Sequence, residues 1–143
     1  MTVAAAVTQL LALSVTGVTD NSAVAIRPPG YADLPVLRLQ AAGQLFVEGL
    51  KAWNVAATAG SVTIFYDHML LISGPTDGRN IDRWDSRLLY LDRYLAAITG
   101  DLTLDNNLTE PLSLILLKQS DNIQLGKNFY NGLVFRHRWV VRT

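Results

Sequence analysis

Between residues 80 and 99, large apolar side chains recur at Ile81, Trp84, Leu88, Leu91, Leu95 and Ile98, in steps of three and four. Only an α-helix gathers such positions onto one stripe, because 3.6 residues complete a turn. The pattern predicts a helix from about Ile81 to Ile98 whose apolar side packs on a core. Asn80 or Asp82 is expected to cap its start, Asp82 and Asp85 suit the positive end of its dipole, and Gly100 suits its end.

The segments around this helix read mostly as β-structure. Ser61 to Ser73 is dense in Val, Ile, Phe and Tyr and predicts a long strand, with a bulge or break expected near Asp67 and His68. Leu112 to Lys118 is an apolar run of strand length, and Ser120 to Asn131 reads as a loop or wide hairpin. Leu133, Phe135, His137, Trp139 and Val141 alternate with Val134, Arg136, Arg138, Val140 and Arg142, which predicts a strand with an apolar and a largely cationic face. Shorter strands are expected at Val36–Leu39 and within Leu45–Trp53, with a turn at Ala56–Ser61. At the start, Val3, Val7, Leu10 and Leu11 repeat at helical spacing among alanines, predicting a helix that ends near Ser14. From Gly17 to Pro35 the chain is rich in Gly, Pro, Asp and Asn and is expected to be irregular. The expected fold class is therefore α+β: an antiparallel or mixed sheet with two main helices on one face, forming a single domain over residues 1–143.

The chemistry is constrained by what is missing. There is no cysteine, so thiolate metal sites, disulfides and thiol catalysis are excluded. Twelve basic residues balance twelve acidic ones, leaving no global field to draw the chain onto nucleic acid or an anionic membrane. No apolar run is long enough for a membrane helix. The Thr2–Val18 stretch lacks a basic flank, Arg27 being the first arginine, and no signal peptide is expected. Gly74-Pro75-Thr76-Asp77-Gly78 lacks the Lys-Ser/Thr pair of a phosphate loop and reads as a turn.

Two histidines remain. His68 could act as a base, or His68 and His137 could join Asp67 as metal ligands; His137 shares a face with Phe135 and Trp139, which favours a packed histidine. The expectation is that there is no catalytic residue, no metal and no cofactor. The rival readings are a small-molecule or nucleic-acid binding module, or a small hydrolase or isomerase using His68. Candidate subunit-interface residues are Arg27, Pro28, Pro29 and Tyr31 of the Pro-rich segment, together with Arg136, Arg138 and Arg142. The three arginines project to one side of a strand, toward a neighbouring subunit or toward a polyanion.

Several stretches then occur in a particular order. Asp33-Leu34-Pro35-Val36-Leu37 follows the Pro-rich loop, and the long strand Ser61–Ser73 comes next. Tyr90-Leu91-Asp92-Arg93-Tyr94-Leu95-Ala96-Ala97-Ile98 leads into Asp101-Leu102-Thr103-Leu104-Asp105-Asn106-Asn107-Leu108. Tyr130-Asn131-Gly132-Leu133-Val134-Phe135 opens the last strand, which ends Trp139-Val140-Val141. In these stretches the chain resembles the tail-terminator and tail-completion (head–tail joining) proteins of tailed bacteriophages. The resemblance runs from about Pro35 onward, and residues 42–60 fall outside it. It implies a non-enzymatic α+β virion subunit, made in the host cytoplasm, that forms a homo-oligomeric ring, commonly a hexamer. Such a ring contacts the tail tube or the head–tail connector, lets the genome pass through its centre, and needs no cofactor and no membrane.

Overall fold

The two strands richest in apolar residues pair with each other at the centre of a mixed sheet. The structure is a computed structural model and describes residues 3–24, 28–41, 46–48, 61–75 and 79–142. In chain order the elements are α1 (Val3–Leu11), β1 (Asp20–Ala23), a 3-10 turn (Tyr31–Asp33), β2 (Val36–Ala41), β3 (Phe46–Glu48), β4 (Ser61–Ser73), α2 (Asn80–Ile98), β5 (Ser113–Leu125) and β6 (Asn128–Arg142). The sheet order is β1-β2-β4-β6-β5, and β3 pairs with the start of β4. β1 lies parallel to β2, and every other pairing is antiparallel. The α+β class expected from the sequence is the class observed.

Alternation along the strands sorts the side chains onto two faces. Leu37, Leu39, Leu70, Leu133, Phe135 and Trp139 share one face with Ala6 and Leu10 of α1 and Tyr94 and Ile98 of α2, and this is the main core. The opposite face holds a smaller cluster of Val36, Met69, Leu71, Ile123, Tyr130 and Val134. The segment after α2 seals one end of the main core. There Leu104, Asp105 and Asn106 take three successive left-handed conformations (φ 49°, 57° and 61°). Such backbone costs about 1–2 kcal/mol per residue. It drives Leu104 fully into the core, and the Asp101 carboxylate accepts from the Asp105 N–H at 2.8 Å.

Several expectations need correction. The irregular stretch 17–35 contains β1, a short parallel edge strand, and the 3-10 turn. Of the two readings of residues 120–131, a loop or a wide hairpin, the structure has the hairpin: β5 and β6 form one long ladder closed by Gly126-Lys127. Gly126 has a φ of 64° at the first of the two turn positions, a conformation glycine adopts without steric cost and one suited to a tight hairpin. The β4 irregularity lies between Leu71 and Ser73, while Asp67 and His68 sit in an unbroken ladder. Of Leu45–Trp53 only Phe46–Glu48 is described, as β3; the rest of that strand and residues 56–60 of the expected turn lie outside the described residues. The helix N-cap is Arg79, whose backbone N–H donates to the Asp82 carboxylate at 3.2 Å, so Asp82 closes the capping box from inside the first turn.

The largest departure concerns the stripe on α2. Ile98 is buried and Leu91 half-buried, but Ile81, Trp84, Leu88 and Leu95 are exposed. The side of α2 that meets the sheet carries Tyr90, Leu91, Tyr94, Ala97 and Ile98. Counting tyrosine as polar hides this face, since a tyrosine whose hydroxyl finds a partner is core material.

The β4 irregularity explains one glycine. A Cβ on Gly132 would lie 2.1 Å from the Leu70 carbonyl oxygen, a backbone atom in the central ladder. Gly132→Ala is therefore expected to destabilise the fold by at least about 2 kcal/mol. Gly100→Ala, where the nearest atom is 3.4 Å away, should stay within about 0.5 kcal/mol. Urea midpoints of the two variants check this, and equal midpoints would refute the close approach.

Candidate functional site

His68 on β4 and His137 on β6 are both fully buried on the helix-bearing face, where they meet Tyr94 of α2. The Tyr94 hydroxyl lies 2.8 Å from His68 Nδ1 and 2.6 Å from His137 Nε2. Its ring stacks on Phe135 at a centroid distance of 4.0 Å. His68 Nε2 lies 2.9 Å from Asn21 Oδ1 on β1.

The direction of each hydrogen bond follows from the far end. Asn21 Nδ2 donates to the carbonyls of Leu10 (2.8 Å) and Leu13 (3.2 Å), which fixes the amide so that Oδ1 is an acceptor. His68 must then carry its proton on Nε2, leaving Nδ1 to accept from the Tyr94 hydroxyl. That hydroxyl has one proton, so its oxygen accepts from His137 Nε2–H. The result is a one-way relay: His137 donates to Tyr94, Tyr94 to His68, His68 to Asn21, and Asn21 to two carbonyls at the end of α1. Leu10 lies in the last turn of α1, where its carbonyl also accepts from the Leu13 N–H at 3.1 Å, and Leu13 follows the helix. In this tautomer His137 Nδ1 is an acceptor, buried without a donor among the described residues.

Both imidazoles are held neutral. Burial pushes His68 well below its ordinary value, and His137 adds to the effect. Burial lowers His137 to about 4, with the charge of Asp67 opposing. Burial likewise raises the Tyr94 phenol well above its ordinary value.

Asp67, suggested by the sequence as a companion of the histidines, points to the other face of β4. It accepts two hydrogen bonds from Arg136, Nε to Oδ1 at 2.8 Å and Nη2 to Oδ2 at 3.0 Å, across the Asp67–Arg136 register pair. A joint site of Asp67, His68 and His137 is thereby ruled out by strand parity. Among the described residues no three His, Asp or Glu side chains cluster as a metal site would require. No described helix is long and apolar enough to cross a membrane.

The other sequence candidates separate in the same way. By register Arg136, Arg138 and Arg142 share a face, as expected, but Arg136 is already bound to Asp67. Arg138 is exposed, and the Arg142 side chain and all of Arg27 lie outside the described residues. Pro29 is buried, and its carbonyl accepts from the Tyr130 hydroxyl at 2.6 Å. Tyr31 packs its ring on Tyr130 and donates to the Phe129 carbonyl at 3.1 Å. Pro28 borders Gly126, within 3.2 Å of where a Cβ would stand. Pro28, Pro29 and Tyr31 thus pack against the β5–β6 hairpin of the same chain, and Tyr31 stays half exposed.

An open apolar surface lies on α2, where the stripe was expected to pack on a core, and on the neighbouring part of β5. Ile81, Trp84, Leu88 and Leu95 of α2 and Leu116 and Leu117 of β5 are 38–55% exposed, and Ile115, 56% exposed, pairs with Arg136 and belongs to the reverse face. Between α2 and β5 runs a groove of about 180 Å3 lined by Trp84, Arg87, Leu88 and Leu116 among others. The signal available in the sequence was the 3-4-3-4-3 spacing itself, which suits a helix packed against a second helix as well as it suits a core. No protein-family model matches the chain, and no curated protein matches it in sequence.

Two measurements test the relay. Tyr94→Phe orphans a donor on His137 and an acceptor on His68, and is expected to cost about 1–3 kcal/mol for each group; an unchanged urea midpoint would refute the network. A histidine whose folded pKa lies below its unfolded value takes up protons in the unfolded chain first. Stability is then complete above the unfolded value of about 6.5 and is lost as the pH falls toward the folded value. For His137 the loss between about 6.5 and 4 is on the order of 3 kcal/mol, with His68 adding to it. A urea midpoint that is flat from pH 7.5 to 5 would show that the imidazoles are not buried and neutral.

Proposed function

We propose that this chain is a non-enzymatic structural subunit of a tailed bacteriophage, assembling as a ring at the end of the tail or at the head–tail neck. The observation that carries the reading is the apolar face of α2 and β5. Six large apolar side chains, those of Ile81, Trp84, Leu88, Leu95, Leu116 and Leu117, stay 38–55% exposed there, on the order of 450 Å2 of surface if each spans about 150–200 Å2 when free. A patch of this size lies in the range of the largest apolar patches on single proteins, which are often functional, and it suits a contact with another protein. The resemblance to tail-terminator and tail-completion proteins gives the contact a biological setting, and the balanced charge of the chain suits a subunit that meets copies of itself.

The buried relay supports the non-enzymatic part. Both histidines are sealed, neutral and aligned in a hydrogen-bond chain that ends on a helix terminus, so neither offers an accessible base. In this reading the relay holds the helices on the sheet, while the surface carries the function. The ring would be a homo-oligomer, commonly a hexamer, contacting the tail tube or connector, with the genome passing through its centre. Its place is the virion, after synthesis in the host cytoplasm. Arg138, exposed and unneeded by the core, is available to a neighbour or to the lumen.

Sedimentation velocity and native mass spectrometry of the purified chain test this reading. The expected result is a discrete ring-sized oligomer forming with concentration, with a central opening in electron micrographs. A chain that remains monomeric across micromolar to millimolar concentrations would refute it.

A further inference from the structure

Two free edges and one vacant position define how copies of this subunit can meet. Among the described residues β5 pairs only with β6, and β1 only with β2, so the sheet ends in an unpaired strand on each side. α1 packs near β1 and α2 lies over β4 and β6. Among the described residues the helix-bearing face of β5 is only partly covered: Leu114 packs on the main core, and Leu116 stays exposed beside the outward side of α2. One helix would fit in that position, flanked by Trp84 and Leu88.

The opposite edge of the molecule supplies such a helix. α1 contains no charged residue, and the exposed positions Ala4 and Thr8 on it and Ala12 just past its end are small. It can accept the large side chains of α2, while Thr8 and Gln9 bring acceptors toward the Arg87 Nε, which is buried beside the groove without a hydrogen-bond partner among the described residues. The strand directions agree as well. Following the pairings across the sheet, β5 runs antiparallel to β1. A copy set alongside without being turned over therefore brings its β1 antiparallel to β5, a permitted ladder.

Charge on the other face completes the match. Lys118 of β5 pairs in register with Val134, and Asp20 of β1 with Val36, and both valines belong to the smaller cluster. Exposed Lys118 and Arg138 thus lie at the β5 end of that face, and exposed Asp20 and Asp33 at the β1 end. Asp20 also binds Arg38 at 2.8 Å, leaving Asp33 as the freer acid. The exposed apolar area on α2 and β5 is close to the non-polar share of a standard interface of about 800 Å2 per partner.

We propose that the β5 edge and outer face of α2 of one copy dock against the β1 edge and α1 of a second copy, head to tail. This rests on the ring reading and deepens it, because a contact between two different surfaces propagates around a ring, whereas a contact between identical surfaces stops at a dimer. The contact continues the sheet from subunit to subunit and lays the helices side by side in one layer.

The absence of cysteine makes the test direct. Thr8→Cys and Leu88→Cys are introduced singly and together, with Ala4→Cys and Ala12→Cys replacing Thr8→Cys to scan the register, and each variant's melting curve confirms folding. Under mild oxidation the double variant is expected to form a covalent ladder ending at the ring size, and a mixture of the two single variants to form dimers only. Trp84→Asp is expected to weaken assembly more than about tenfold. Lys118→Glu should weaken it and be rescued by Asp33→Lys. Dimers from Leu88→Cys alone would mean that α2 packs on α2 about a two-fold axis, and would overturn the proposal. An unmutated chain that forms rings, while no cysteine pair cross-links and Trp84→Asp assembles normally, overturns this contact and leaves the ring reading intact. An unmutated chain that stays monomeric overturns both.

Discussion

The tyrosine hydroxyl at the centre of this protein has one proton to give and must serve two histidines. That stoichiometry orders everything around it. Because Asn21 is committed to two carbonyls at the end of α1, His68 must donate to Asn21, Tyr94 must donate to His68, and His137 must donate to Tyr94. Each member comes from a different element, so the relay ties α1, β1, β4, α2 and β6 together. Apolar packing alone is non-directional and would allow the helices to slide on the sheet. A buried chain of polar groups does not, since any shift leaves a donor or acceptor unpaired at a cost of about 1–3 kcal/mol.

Strand parity lets the two faces of the same strands do different work. His68 and His137 face the helices, while their neighbours Asp67 and Arg136 form a two-bonded ion pair on the reverse side. An anion one residue away from a buried imidazole could have drawn a proton onto it. Directed to the other face and bound by a guanidinium, Asp67 offsets only part of the burial effect on His137. The reverse face is itself partly apolar, closed over Tyr130 by Pro29 and Tyr31.

With Tyr90, Leu91, Tyr94, Ala97 and Ile98 turned to the sheet, Ile81, Trp84, Leu88 and Leu95 of α2 face outward. Burying Trp84 and Leu88 against the sheet would require rotating the helix and pulling the Tyr94 hydroxyl out of the relay. The polar network therefore decides which side of an amphipathic helix is core and which is left for a partner. The assembly surface proposed for this subunit follows directly from the geometry of its interior.

Much of the architecture was legible in the sequence. The 3-4-3-4-3 spacing is read by no backbone but a helix, and alternation from Leu133 to Val141 is read only by a strand, so both elements and the face shared by Phe135, His137 and Trp139 follow from local periodicity. The absence of cysteine and the neutral charge balance were equally certain. Tertiary structure alone decided the rest. β1 has neither β-branched density nor length and exists because β2 offers it a parallel edge, and polar Asp121 and Asn122 sit at an irregularity of the β5–β6 ladder, where the Asn122 N–H donates to the Ser120 hydroxyl at 2.9 Å and Asp121 pairs with Arg83 at 3.5 Å. Tyr94, outside the predicted stripe, became the most constrained residue of α2 because two histidines far away in sequence converge on its hydroxyl. Periodicity specifies which residues share a side of an element, but which side is buried depends on partners that sequence distance hides, and here a single hydrogen-bonding proton made that choice.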